Sequence, residues 1–177
     1  MSELRKANIP GIPYFITMPI VGWIDLFTRK AICEIIVKNL TYCQSHRGLD
    51  IFAYVIMPSH IHMIARILEG NLNELIRDFK SVGAKEIIYF IKSDRRESRK
   101  DWLLASLSIF ASAYKQNKNY MLWQKTNYPI SVEDNFLFDQ KKKYILYNPV
   151  KAGIVLNPED YYYSSANPFS PIKVCEA

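Results

Sequence analysis

Apolar residues along this chain repeat either every second position or every third and fourth, and the switches between the two periods mark its elements. Tyr14 to Met18 (YFITM) is a short apolar run closed by Pro19, which predicts a strand with the proline at an end or an edge. Thr28 is placed to cap a helix running to about Cys43, where Ile32, Ile35, Ile36, Leu40 and Cys43 follow the three-and-four spacing. His46, Arg47 and Gly48 supply the cationic last turn and the glycine stop. Two β-rich runs follow, Asp50–Met57 and His60–Leu68, with only Pro58 and Ser59 between them, which predicts a tight hairpin of central strands.

Gly70 and Asn71 then open a second amphipathic helix, with Leu72, Leu75, Ile76, Phe79, Gly83, Ile87 and Phe90 on one face. The pattern weakens from Lys92 to Asn119, although WLLASLSIFASAY can form a further helix. Leu122 to Val132 carries a short fourth strand, and Asp134 begins a helix through Tyr144 to about Tyr147. The residue before a proline is biased away from helix, so Asn148-Pro149 should end or kink it. Strand, helix, strand, strand, helix, strand, then an added helix is the α+β ferredoxin-like order βαββαβ. It predicts an antiparallel sheet with both framework helices on one face. We take residues 1–177 as a single domain with its core at about 13–166.

Composition adds modest constraints. Of the 177 residues 49% are hydrophobic, enough for a core without disulfide support. Cys33, Cys43 and Cys175 are an odd, widely spaced set that fits neither a disulfide framework nor a zinc site. Buried thiols in a reducing cytoplasm are the expectation. The opening MSELRKANIPGIP has no signal-length apolar core and no run approaches a membrane span, so no membrane partner is expected. The formal charge is +6, and the stretch from Arg77 to Lys125, with eleven Lys/Arg against five Asp/Glu, carries all of it. A basic segment on a balanced chain suggests a surface that meets phosphate, with a solvated helix face as the plain alternative. Twelve tyrosines among 14% aromatic residues add rings that can stack on bases, although most belong in a core.

His60-Ile61-His62 is the first chemical feature. Residues two apart in a strand share a face, so both imidazoles project together while Ile61 and Met63 turn toward the core. Two neutral imidazoles can hold one divalent ion if a third ligand arrives from elsewhere. For H-x-H alone, two idle half-buried histidines are the commoner outcome. Here, however, the chain has three histidines and two of them fall in this strand. Downstream, KKKYILYNPVKAG places Tyr144 and Asn148 four apart on one helix face. Asn148 offers a hard amide oxygen of the kind Mg²⁺ accepts, and a positioned tyrosine hydroxyl can act as a nucleophile. Tyr147 competes with Tyr144 for that role, and either ring can be a packing residue.

MPSHIHMI, NLNELIRDFKS, YILYNPVKAGIV and PEDYYYSSA, in this order, resemble the single-tyrosine HUH transposases, and among them the REP-associated tyrosine transposases. The resemblance runs from about Pro13 to Ala166. It implies that His60 and His62 bind Mg²⁺ or Mn²⁺, with Asn148 as a further polar ligand. It implies that Tyr144 is the nucleophile, borne on a helix added to a ferredoxin-like sheet. Single-stranded DNA hairpins or inverted repeats would be the substrates, cut and rejoined through a 5′-phosphotyrosine. A homodimer is compatible with the family. Two departures stand out: Lys92 to Asn119 is longer than the usual connection, and TNYPISV lacks a histidine that relatives often carry.

Arg77, Lys80 and Lys85 on the second helix, and Lys141, Lys142 and Lys143 beside the tyrosine, are candidate phosphate contacts. Two other readings share these residues. One is a non-catalytic single-stranded DNA-binding protein or repressor; the other is a hydrolase that uses H-x-H and activated water.

Overall fold

A histidine-bearing strand lies in the middle of the sheet. The computed structural model describes residues 9–114 and 119–176. Its four strands are β1 (Tyr14–Pro19), β2 (Leu49–Met57), β3 (His60–Ile67) and β4 (Ile130–Ser131), in spatial order β2-β3-β1-β4 with every pair antiparallel. The helices are α1 (Lys30–Arg47), α2 (Leu72–Ser93), α3 (Lys100–Ser112) and α4 (Asn135–Lys151). The α+β ferredoxin-like order is therefore present, with α3 inserted before β4 and α4 added after it.

Strict alternation on the central strands divides the interior in two. Tyr14, Ile16 and Met18 of β1 and Ile61, Met63 and Ala65 of β3 join the buried faces of α1, α2 and α3 in one cluster. Phe15 of β1 and Ile64 of β3 point the other way, into a smaller cluster with Phe138 and Ile145 of α4. The β2–β3 register shifts between Ile51 and Ala53, a bulge that lets Phe52 and Ala53 both face α4.

Local signals account for most helix ends. Asn71 caps α2 by accepting from the Asn73 and Glu74 amides, and Asp134 caps α4 by accepting from Leu137 N. Gly48 closes α1 in the left-handed conformation. Thr28 does not cap α1 as expected: it sits in a 3₁₀ turn with its hydroxyl on Asp25 O, and Arg29 takes the cap position without a side-chain bond. On α2 the buried stripe ends on Ile91 rather than Phe90, which is half-buried.

Asn148-Pro149 does not end α4, which continues to Lys151. A proline forfeits one helical bond, here the one to the carbonyl four residues back. Ala152 N still reaches Asn148 O at 3.0 Å, Gly153 N reaches Val150 O and Ile154 N reaches Pro149 O at 2.9 Å each. Gly153, with φ +71°, is the true stop.

β4 has two residues because the chain beside β1 is interrupted. Tyr128 has φ +44° and Pro129 has no amide to donate. Pairing resumes on both sides, through Thr17 N to Asn127 O, Gln124 N to Pro19 O and an Ile20–Trp123 bridge. Along the opposite sheet edge the C-terminal segment bonds to β2, through Ile56 N to Tyr163 O, Ser165 N to Tyr54 O and Cys175 N to Ile51 O. Cys33 and Cys43 are buried free thiols, and burial pushes Cys33 up to about 12. No helix among the described residues is long and apolar enough to cross a membrane.

Ile145 is fully buried in the smaller cluster, whereas Phe136 on the same helix is 76% exposed. Ile145→Ala should lose about 2–5 kcal/mol in urea denaturation, and Phe136→Ala no more than about 0.5 kcal/mol. Equal losses would mean that α4 is not anchored through this face.

Candidate active site

β3 carries His60 and His62 on the α4 side of the sheet, with ring centroids 4.6 Å apart in an edge-on arrangement. The antiparallel register sets Thr17 opposite His62, and Thr17 Oγ1 lies 2.9 Å from His62 Nδ1. Ser59, in the turn before β3, places its Oγ 3.2 Å from His60 Nδ1. When each Nδ1–H donates to its hydroxyl, each Nε2 keeps a lone pair for a ligand, the orienting arrangement typical of metal-bound imidazoles. Phe15 stacks on the other side of His62 at 5.3 Å.

Tyr144 reaches this group from α4. Its ring is edge-on to His62 at 5.2 Å and to Phe15 at 5.9 Å, and the residue stays 38% exposed. Tyr147 points elsewhere, with Lys143 Nζ 5.9 Å over its ring. Of the two tyrosines, Tyr144 is therefore the one that adjoins the histidines. Asn148 lies one turn further along α4, half-buried, its amide uncommitted to any described residue.

Two cations stand over the tyrosine. Lys141 Nζ is 4.9 Å from the Phe15 ring and 6.0 Å from that of Tyr144, and Lys151 Nζ is 5.5 Å from Tyr144. Burial pushes His60 down to about 4. His62 is pushed down to about 3 by burial first, then by the nearby positive charges of His60 and Lys141. At neutral pH both imidazoles are thus uncharged, the form that ligates metals.

The donor set fits a weakly held, oxygen-loving ion. Among the described residues no three His, Cys, Asp or Glu side chains cluster, so the two imidazoles are what that set can offer here. Mg²⁺ and Mn²⁺ accept that, because they retain waters and take substrate phosphate oxygens to complete their shell.

The other predicted phosphate contacts are dispersed. Lys142 is half-buried on α4. Arg77, Lys80 and Lys85 sit on α2, across the sheet from the histidines, and line a groove of about 430 Å³ with Trp123 and Lys125. There Arg77 pairs with Asp78 at 3.0 Å, and Lys80 donates to Gln124 O at 2.9 Å. Burial lowers Lys80 to about 8. Further along the basic segment, Glu97 accepts from Arg29 and Arg99 bonds Asp25, so Arg99 is committed to an acidic partner within the protein. Lys115 and Lys118 of that segment lie outside the described residues.

Sequence reasoning missed Phe15, Thr17, Ser59, Trp23 and Lys151. Thr17 had a signal, as the one polar residue in an otherwise apolar strand. Trp23, 5.4 Å edge-on from His60, had none, because its position depends on a left-handed backbone.

No family model matches the chain. A Haemophilus influenzae protein assigned by name to the REP-associated tyrosine transposases is 26% identical over 165 residues, 93% of this chain and 85% of that one. This chain resembles a REP-associated tyrosine transposase. A solved REP-associated tyrosine transposase, bound to a REP hairpin, superposes with TM-score 0.64 at 21% identity, covering 93% of this chain and 82% of that one. A Deinococcus radiodurans structure assigned by name to the transposases is more distant, at TM-score 0.46 and 13% identity. The α+β architecture is thus shared with the solved REP-associated tyrosine transposase, and this chain sets its H-x-H strand and Tyr144 helix face to face.

An unfolded histidine titrates near 6.5. Below that pH the unfolded chain takes up protons that the buried site refuses, so stability falls as pH drops from about 6.5 toward 4. Above 6.5 these groups contribute no slope. A His60→Gln, His62→Gln double variant should show a shallower fall of melting temperature between neutral pH and about pH 4. A profile parallel to the parent's would remove the histidines from this account.

Proposed function

We propose that the protein cuts and rejoins single-stranded DNA at hairpin or inverted-repeat ends, with Tyr144 as the nucleophile. One observation carries this reading: the Tyr144 ring lies 5.2 Å from His62, which itself lies 4.6 Å from His60 on the same sheet face. A DNA-hairpin substrate is suggested by the solved relative, which was captured with one.

The chemistry is a transesterification. Tyr144 Oη loses its proton to solvent and attacks phosphorus. The new Oη–P bond replaces the P–O3′ bond, whose electron pair leaves with the 3′ oxygen, and that oxygen takes up a proton. The 5′-phosphate stays on the tyrosine until another 3′-hydroxyl reverses the step. One phosphodiester replaces another, so no nucleotide cofactor is required, and the sequence has no G-x-x-x-x-G-K-[ST] loop.

His60, His62 and Asn148 would hold Mg²⁺ or Mn²⁺, which supplies Lewis-acid polarisation of the scissile phosphate when bound. Lys141 and Lys151, over the Tyr144 ring, put fixed positive charge where the phosphate's non-bridging oxygens accumulate negative charge. Thr17 and Ser59 hold the imidazole orientation. The position of Tyr144 on an exposed helix face leaves it open to a strand arriving from solvent.

The test is a hairpin oligonucleotide from inverted repeats flanking the gene, labelled at either end and incubated with protein and Mg²⁺. On a denaturing gel only the label 3′ of the cut should migrate with protein, and peptide mapping should place it on Tyr144. Tyr144→Phe should abolish the adduct while Tyr147→Phe keeps it. His60→Ala and His62→Ala should each abolish cutting, and Asn148→Ala should be milder because water can replace a neutral oxygen ligand. Cutting without an adduct would make the protein a hydrolase, and binding without cutting would make it a DNA-binding module.

A further inference from the structure

Among the described residues two non-glycines have positive φ, Trp23 at 54° and Tyr128 at 44°. Bulky residues rarely adopt this conformation, and where they do the surroundings must enforce it. Burial does not explain either case, since Trp23 is 56% exposed and Tyr128 is 59% exposed. Trp23 stands edge-on to His60 at 5.4 Å, and Gly22, the residue before it, shares a cleft with Tyr128.

That cleft, of about 330 Å³, is lined by Gly22, Phe110, Tyr114, Lys125 and Tyr128 among others, with no carboxylate among its lining residues. Gly22, itself left-handed at φ +62°, lets the Phe110 ring lie against the backbone: a Cβ there would come within 2.6 Å of Phe110 Cζ. Lys125 Nζ sits 3.8 Å from the Tyr114 ring centre. Lys125 and Gln124 also line the basic groove that holds Arg77, Lys80 and Lys85. Trp23 beside His60 thus adjoins Gly22 of the aromatic cleft, and the cleft shares Gln124 and Lys125 with the groove of Arg77, Lys80 and Lys85.

We propose that Trp23 and the adjoining cleft bounded by Tyr128 stack unpaired bases of the DNA strand that enters the His60–Tyr144 site. The inference rests on the reading of that site as one for single-stranded DNA, and adds where the bases go. Aromatic faces with an ammonium and no acid suit a base and its phosphate. Flat rings take an unpaired base on its face, which a duplex hides within its stack. The left-handed backbone holds the exposed Tyr128 ring at the cleft and the exposed Trp23 ring beside His60, where a regular strand would aim its side chains along the pleat.

Binding without cleavage tests this. With the full chain in the presence of chelator, fluorescence anisotropy compares an oligothymidylate with an equally long abasic strand, which has the phosphates and lacks the bases. The parent should prefer the oligothymidylate by about five- to a hundredfold. Trp23→Gly and Tyr128→Gly, which suit left-handed backbone, should each shrink that preference, while Trp23→Phe keeps most of it. Trp23→Gly should hold its melting temperature, as expected when a strained residue yields to glycine. A strand carrying 2-aminopurine should be quenched on binding the parent and less so on binding Trp23→Gly. Equal affinity of the parent for both strands, or an undiminished preference in Trp23→Gly, would overturn the stacking site, as would an unquenched 2-aminopurine strand. Tyr144→Phe cannot form an adduct and should keep the preference, so a failure of the covalent reading appears on the gel and not in this comparison.

Discussion

The two-residue period of β3 governs the molecule. Ile61, Met63 and Ala65 are buried against α1 and α2, which commits His60, His62 and Ile64 to the opposite face. A shift of one residue would exchange the two sets, turning the imidazoles toward α1 and α2 and away from Tyr144. The framework cluster therefore fixes the direction of both histidines before any ligand is considered. β1 adds to this, since its own alternation delivers Phe15 and Thr17 to the same face, one ring stacked on His62 and one hydroxyl on its Nδ1. A central strand surrounded by paired neighbours leaves little backbone freedom, which suits groups whose mutual angle matters.

α4 is attached to that face through few residues. Phe138, Ile145 and Pro149 are its buried positions, and Tyr144 lies just outside them with its ring against His62 and Phe15. The residue preceding the anchor Ile145 is thus the one presented at the rim of the cluster. Ordinary packing and chemical placement share one turn of helix. Phe15 serves both, being buried in the smaller cluster while touching His62, Tyr144 and the Lys141 ammonium.

Much of this was legible in the sequence because it depends on periodicity. The order of elements, the hairpin, the shared face of His60 and His62 and the Asn71 and Asp134 caps all follow from spacing or from short-range polar contacts. What stayed hidden depends on long-range geometry. Lys80 reads as a surface cation on a helix face, yet its ammonium is held by Gln124 O from a segment more than forty residues away. The helix after Tyr144 outlives its proline because Gly153, not Pro149, provides the left-handed stop. Tyr144 and Tyr147 are indistinguishable by composition; the resemblance alone singled out Tyr144, whose contact with His62 depends on which side of α4 meets the sheet. Trp23 and Tyr128 were invisible for the opposite reason, since nothing in either side chain announces a left-handed backbone.

The segment that follows α4 has a role of its own. By bonding Tyr163 and Ser165 to Ile56 and Tyr54, with Tyr161 Oη donating to Ile56 O, it lies along the outer edge of β2 as a substitute strand. β2 is nine residues long and almost wholly buried, so without that cover its free amides and carbonyls would invite another chain. Two copies therefore have no open β2 edge on which to merge their sheets. Association of this protein, where it occurs, must use surfaces other than that edge, and a proteolytic cut that freed the segment would open β2 to edge-to-edge aggregation.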